Sequence, residues 1–520
     1  MLRLHNQRLK EPPPMKNSIR TVVVPMILLT IFSCTTSTDV PLPITTASEE
    51  ALEMYNKAWS YWGDHDAIKQ SEYMKKALNI DPDFILANLY VVENDPNKRK
   101  QFRDKAIQNK NDGSNAEKLL VDMFIAGREG RTNDRINFAK KLVEEYPSSS
   151  KAYVDLGDAY NVARDFSSAA QNYIKATDIN PENVNAWWRL GRQHINVYTN
   201  QILLPASKQD KKLGISYIDK MISLRPDAAV GYQIRGNVDR ANSDFESAKK
   251  WYADALEKRR ATGRAASGLL GVIAHNLVFN GEFDSAQEYY NLAINEGQTA
   301  NSKYSVAIFQ IQSYLFNDDY SGAIQVADQI SKDLETYGFS PVQIYQNKSQ
   351  IELRKFLAYA HNQKQEEAYE SLMMRKNYAK QAMAIMEVDE VIQVNFDYNN
   401  AKYQAWYHIL FGEYNKAETQ LNTLYSLVSK IQSPTALDDY SAMMGMVRLF
   451  QGDSAGSLSY FNENIDTENY QYYSYFKALA LQAAGQNTVA EDIFNKIANY
   501  NFNGLGVSLV RSLAKKQHES

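Results

Sequence analysis

The chain has 520 residues, 44 % of them hydrophobic and 23 % charged, with a net charge of −4. That is ordinary globular material, long enough to bury a continuous core, and the weak negative charge without a basic stripe argues against a nucleic-acid role. A single cysteine excludes an intrachain disulfide and a cysteine-based zinc site.

At the N-terminus, Lys16 and Arg20 precede an apolar run from Thr21 to Phe32, and Cys34 follows Ile31-Phe32-Ser33. A run of about twelve residues is too short to span a bilayer and has the size of a signal-peptide core. The arrangement resembles a bacterial lipoprotein signal with a loose lipobox, which implies cleavage before Cys34 and acylation of that cysteine. Residues 1–14 fit this poorly, and Met15 is the better start of translation. Residues 1–33 are therefore set aside as signal peptide, and 34–47, rich in Thr, Ser and Pro, reads as the lipidated cysteine and a flexible tether. Thr35 follows the cysteine and no acidic cluster comes after it, so the resemblance implies an outer-membrane lipoprotein facing the periplasm, held to the membrane by its lipid.

From about residue 48 a helical pattern begins. Residues 51–84 carry Ala58, Tyr61, Ala77 and Pro82 in one frame, and 84–115 squeezes two short helices into less than a full period. The frame is clearest in 150–183, a unit of 34 residues. There Leu156, Gly157 and Tyr160 fall on one face of a first helix, and Ala169, Tyr173 and Ala176 on one face of a second. Small residues allow close approach, so Gly157 and Ala169 are expected to face each other, with tyrosines filling the space beside them. Arg164-Asp165 is the polar turn, and Pro181 ends the unit because it lacks an amide proton and disfavours helix at Asn180.

The next unit, from Val184, has Trp187, Leu190 and Gly191 in register, but an insertion of about ten residues around 198–211 separates its helices. Residues 229–262 repeat the frame with Tyr232, Gly236, Ala248, Tyr252 and Ala255. Later copies are marked by Ala286, Tyr290 and Ala293, by Tyr314 with Ala323, by Tyr359 with Ala368, by Ala417, by Tyr460, and by Ala478 with Ala490 and Phe494. About eleven copies fill roughly 48–505, and 506–520 reads as a C-terminal capping helix with a frayed tail.

The unit at 150–183 resembles the tetratricopeptide repeat, and the recurrence extends the resemblance over most of the chain. It implies an all-α solenoid of helix-turn-helix repeats, without enzymatic machinery or cofactor, whose first helices line a concave groove that binds protein or peptide partners. Carried onto the best-matched units, the groove positions are Asp155, Asp158 and Asn161, then Trp188, Arg189 and Arg192, then Gln233, Asn237 and Arg240. That set suits an extended peptide with an acidic group. The alternative is an outer-membrane glycan-binding lipoprotein partnering a nutrient transporter, which shares a lipidated cysteine and a few such helix pairs but also carries a large irregular insertion.

Other chemistry is weakly signalled. Gly452-Asp453-Ser454-Ala455-Gly456 has the Gly-x-Ser-x-Gly form of a nucleophile elbow, which would make Ser454 an esterase nucleophile if it sat between strand and helix. Its neighbours place it at a helix-helix turn instead, in the frame of Phe411-Gly412-Glu413-Tyr414 and Asn280-Gly281-Glu282-Phe283. Asp64-His65-Asp66 reads as a polar turn more readily than as a metal site. His275, His361 and His408 share no spacing and read as packing or groove residues.

Overall fold

The computed structural model describes residues 39–519 apart from 64–65, 199–203, 205, 432–435 and 462–468. The signal sequence, Cys34, and Asp64-His65 of the metal alternative lie outside the described residues.

The chain folds as a series of helix hairpins: α1 Glu49–Gly63 with α2 Ala67–Ile80, then the short α3 Ile85–Tyr90 with α4 Pro96–Gln108, and α5 Asn115–Arg128 with α6 Thr132–Glu145. The hairpins continue as α7 Ser150–Val162 with α8 Phe166–Ile179, α9 Val184–His194 with α10 Lys211–Leu224, and α11 Ala229–Ala241 with α12 Phe245–Ala261. Next come α13 Ser267–Phe279 with α14 Phe283–Asn295, α15 Ala300–Phe316 with α16 Tyr320–Asp333, and the long pair α17 Pro341–His361 with α18 Gln365–Ala384. The last are α19 Glu390–Leu410 with α20 Tyr414–Val428, α21 Asp438–Phe450 with α22 Ser454–Phe461, α23 Tyr470–Ala483 with α24 Asn487–Ala498, and a final single helix, α25 Leu505–Glu519. No strand occurs among the described residues. The expected insertion falls between α9 and α10, and the compressed unit is the α3/α4 pair.

Most hairpins turn by one device. At the end of α7, Arg164 takes a left-handed conformation with φ 61°, and the Asp165 amide donates to Tyr160 O at 3.0 Å while the Arg164 amide donates to Asn161 O at 3.1 Å. These are the paired bonds that satisfy the last carbonyls of a helix ending in a left-handed residue. Asp165 then begins α8, its carboxylate accepting from Ser168 N at 3.0 Å. One aspartate thus closes one helix and caps the next, which is why the turn needs only three residues. The same left-handed position is held by Ser243, Asp318 and Gln363 and by Gly130, Gly281, Gly412, Gly452 and Gly485.

Within a hairpin the two helices touch through a small residue on the first and a large one sixteen positions later on the second. A Cβ on Gly157 would lie 2.4 Å from the Tyr173 ring, and one on Gly236 would lie 2.4 Å from Tyr252. Gly445 stands in the same relation to Phe461. Gly157 therefore faces Tyr173 and not Ala169 as its sequence position suggests, because the ring lies flat over the glycine. Ala58 and Met74, Ala274 and Tyr290, and Ala478 and Phe494 occupy the same two positions, all buried.

Neighbouring hairpins pack mainly through their first helices: α13 touches α15, α15 touches α17, α17 touches α19 and α19 touches α21, whereas successive second helices make at most marginal contact. First helices therefore lie on the tighter, inner side of the stack.

Both ends of the described chain return onto it. The stretch expected as a tether is, from Asp39 on, seated on the hairpins: Asp39 accepts from Ser150 N and Oγ and from Asn180 Nδ2, Val40 N donates to Ser148 O, and Thr46 Oγ1 and Ala47 N donate to Asp81. Early and late hairpins also meet, through Lys100 with Glu387 at 2.8 Å, Arg128 with Asp389, and Arg164 with Asp438 at 2.6 Å.

Substitutions separate the two devices. Gly157→Ala is expected to overpack the α7/α8 contact and cost about 1–3 kcal/mol. Gly281, with open space around its missing Cβ, tests backbone conformation alone: Gly281→Ala is expected to destabilise by about 1 kcal/mol and Gln363→Gly to stabilise by a similar amount. Urea denaturation midpoints compared across the three variants check both signs.

Candidate functional site

The inner face is built from side chains that rise between the hairpin contacts. On α7, Asp155 pairs with Lys151 at 2.7 Å, and Asn161 lends its carbonyl to the turn. Asp158 follows Gly157 and accepts from Tyr173 Oη at 2.8 Å, from Arg189 Nε at 2.6 Å and from Arg189 Nη2 at 2.7 Å. Burial works to raise the Asp158 carboxyl, but the charge and forked hydrogen bonds of Arg189 outweigh it and hold the group below the usual carboxylate range. Arg189, named from sequence as a grip for a partner's acid, is thus bound to the solenoid's own aspartate.

On α9, Trp188 packs against Tyr198 with ring centroids 5.3 Å apart, and the Arg192 guanidinium lies 4.8 Å from the centre of the indole. Burial and the nearby Arg189 lower the Arg192 pKa from its ordinary value. On α11, Gln233 is half-buried. Asn237 and Arg240 are 2 % and 3 % exposed. Asn237 accepts from Tyr252 Oη at 2.9 Å and donates to Val197 O at 2.8 Å, which ties the inserted segment to the inner face. Arg240 donates to Val272 O at 3.3 Å.

Arg240 is covered by a part of the chain that periodicity did not connect with it. Between α24 and α25 the backbone leaves the helical pattern at Asn501-Phe502-Asn503, and these three residues are seated on α11, α13 and α15. Asn501 Nδ2 donates to Arg240 O at 3.0 Å and to Ser243 Oγ at 2.9 Å. The Phe502 ring lies 5.0 Å from the Arg240 guanidinium and is 2 % exposed. Asn503 Nδ2 donates to Phe309 O at 3.2 Å and to Tyr290 Oη at 3.5 Å, while its Oδ1 accepts from Gln312 Nε2 at 2.7 Å. Behind them, Val507 of α25 packs with Phe279 and Phe316, Arg511 lies 5.2 Å from the Phe279 ring, and Ser512 Oγ donates to Asp318 at 2.5 Å. Two side-chain amides and one aromatic ring hold this segment, and all three are buried.

Repeated left-handed turns, the small-to-aromatic contact at a spacing of sixteen and the inward stacking of first helices decide the architecture. The fold is a tetratricopeptide-like repeat solenoid. No protein-family profile matches the chain, and no curated protein does. Among solved structures, MamA is similar over 40 % of this chain and 96 % of its own, at 20 % identity and a TM-score of 0.22. A tetratricopeptide repeat protein from Parabacteroides merdae ATCC 43184 is similar over 66 % of this chain and 97 % of its own, at 10 % identity and a TM-score of 0.28.

The remaining candidates from sequence take structural places in the solenoid. Ser454 opens α22 directly after the left-handed Gly452, with Asp453 accepting from Gly456 N at 2.8 Å. Helices flank it on both sides, so the strand-to-helix turn of a nucleophile elbow is not formed. Asp66 caps α2 by accepting from Lys69 N at 3.0 Å. His275 and His361 are buried in different hairpins, and burial pushes His361 down to about 4. His408 bonds Glu413 at 2.5 Å. No group of three or more potential metal ligands occurs among the described residues.

Asp158→Asn is expected to cost about 1–3 kcal/mol at pH 7, since it leaves Arg189 unpaired in a partly exposed site. The depressed carboxyl contributes fully above its unfolded pKa of about 4 and loses that contribution as pH falls through the folded value. The gap in melting temperature between wild type and variant should therefore narrow on acidification below about pH 4.

Proposed function

We propose that this protein is a lipid-anchored scaffold of the bacterial envelope that binds an extended segment of a partner polypeptide along its inner face. The observation that carries the reading is the seat of Asn501-Phe502-Asn503: amides on carbonyls and a ring against a guanidinium are how such a surface takes a peptide. The same mode is used at the other end, where Asp39 and Val40 are gripped by residues flanking α7 and α8. A solenoid that holds two pieces of its own chain this way has the chemistry to hold a piece of another. Nothing about Ser454 favours hydrolysis. Asp155, Asn161, Trp188, Arg192 and Gln233 lie on the stretch between the two gripped segments, and we assign partner contacts there.

Anchoring rests on Cys34, which follows a signal-like apolar run. Cys34→Ala is expected to abolish labelling by radioactive palmitate and to move the protein to the soluble fraction, because acyl chains supply the attachment. An unlabelled variant that still sediments with membranes would contradict the anchor. For the binding face, a synthetic peptide spanning residues 498–506 is expected to bind a chain truncated after Ala498 and to bind the full chain much more weakly, since the native segment competes from within. Equal binding to both, or none to the truncated chain, would remove the proposed mode of recognition.

A further inference from the structure

Away from the inner face, a cavity of about 720 Å³ lies between α4 and α5 on one side and α17, α18 and α19 on the other. That volume falls in the range of small-molecule sites, about 300–1,000 Å³. Ile107, Phe124, Met383, Met386, Ile392 and Phe396 supply an apolar wall. The walls are tied together by Lys100 with Glu387, by Arg128 with Asp389, and by Asn97 Nδ2 donating to Ile385 O at 3.1 Å.

The charged lining is unbalanced in how it is used. Its carboxylates are all committed: Asp104 and Glu387 to Lys100, Glu129 to Arg131, and Asp389 to Arg128. Three guanidinium groups on the same walls, Arg99, Arg103 and Arg375, have no carboxylate partner among the described residues. Arg103 lies 5.3 Å from the Phe124 ring, and burial, Arg99 and Arg128 together hold its pKa below the ordinary value. Arg375 is 5 % exposed; its Nη1 donates to Asn400 Oδ1 at 3.3 Å and its guanidinium lies 4.1 Å from the Tyr403 ring. Its Nε, however, is buried without a hydrogen-bond partner, and so is Nδ2 of Asn347, another lining residue.

Unpaired buried donors and mutually repelling guanidinium groups each cost stability, and both costs are removed by one acceptor-rich anion. An apolar wall beside them selects an anion that carries an apolar body. We propose that this cavity binds a small organic anion, a carboxylate or phosphate head on an apolar chain or ring, with Arg103 and Arg375 facing the head and Phe124, Met383 and Phe396 the body. Because the walls come from distant parts of the chain, such a ligand would also brace early hairpins against late ones.

The test is calorimetric titration of the full chain with decanoate and decyl phosphate, and with decanol and inorganic phosphate as controls. At least one amphiphilic anion is expected to bind, and both controls are expected to bind at least about tenfold more weakly. Arg103→Gln should weaken binding about tenfold or more, the loss of one charge-assisted hydrogen bond, while Arg103→Lys retains part of it. The half-buried Arg103 is chosen over Arg375 because its replacement leaves the packed interior intact. Decanol binding as well as decanoate, inorganic phosphate binding as well as decyl phosphate, binding unchanged in Arg103→Gln, or no binding of either amphiphile would each overturn the proposal.

Discussion

The solenoid depends on the close approach of two helices at the point where an aromatic ring of the second lies on a residue without a side chain on the first. At Gly157 and Gly236 the tyrosine ring occupies space that a Cβ would need, so the approach sets the pitch of the hairpin as well as its stability. It also aims the tyrosine. Laid flat across the first helix, Tyr173 carries its hydroxyl to Asp158, and Tyr252 carries its own to Asn237, in each case the residue after the glycine. In the following hairpin Ala274 takes the glycine's place and His275 comes next, and the Tyr290 hydroxyl meets Asn503 of the returning C-terminus. A packing rule inside each hairpin thereby places polar groups on the inner face at regular intervals.

What those groups do depends on what reaches them. Asp158 and Asn237 are satisfied within the solenoid, which stiffens the inner face between α7 and α12. The hydroxyl of Tyr290 and the backbone carbonyls of Arg240 and Phe309 are satisfied only by residues near the C-terminus. Repeat proteins usually propagate stability from neighbour to neighbour. Here a contact spanning some 260 residues, from Arg240 to Asn501, adds a coupling that a linear stack lacks. The ion pairs of Arg128 with Asp389 and Arg164 with Asp438 act in the same sense but are partly exposed and worth less.

The helical frame was legible because it rests on local periods: small and aromatic residues at fixed spacing, a polar turn, and proline after α2, α8 and α10. Turn chemistry was legible where glycine marks it, as at Gly281 and Gly412, and less so at Gln363, whose left-handed φ no residue preference announces. The pairing of Gly157 with Tyr173 was misread as Gly157 with Ala169, since helical spacing gives a face but not which neighbour across the gap fills it. Arg189, Asn237 and Arg240 carry the composition of a groove, yet two of them are buried and the third is forked onto Asp158. Pattern on one helix cannot tell an inward polar residue from one whose partner arrives from elsewhere. The seat of residues 501–503 and the arginine-lined cavity between α4 and α18 both bring together distant segments, and nothing periodic connects them. Isolated asparagines flanking Phe502 in a break between helices were the only local trace.

The central claim is that residues after α24 close the inner face over α11, α13 and α15. It is tested most directly by amide hydrogen exchange, comparing the full chain with one ending at Ala498. Protection is expected to fall in α11 to α15, while α5 to α8 exchange as before, because the lost contacts are confined to the former. Unchanged protection throughout α11 to α15, with the truncated chain still folded, would contradict the claim.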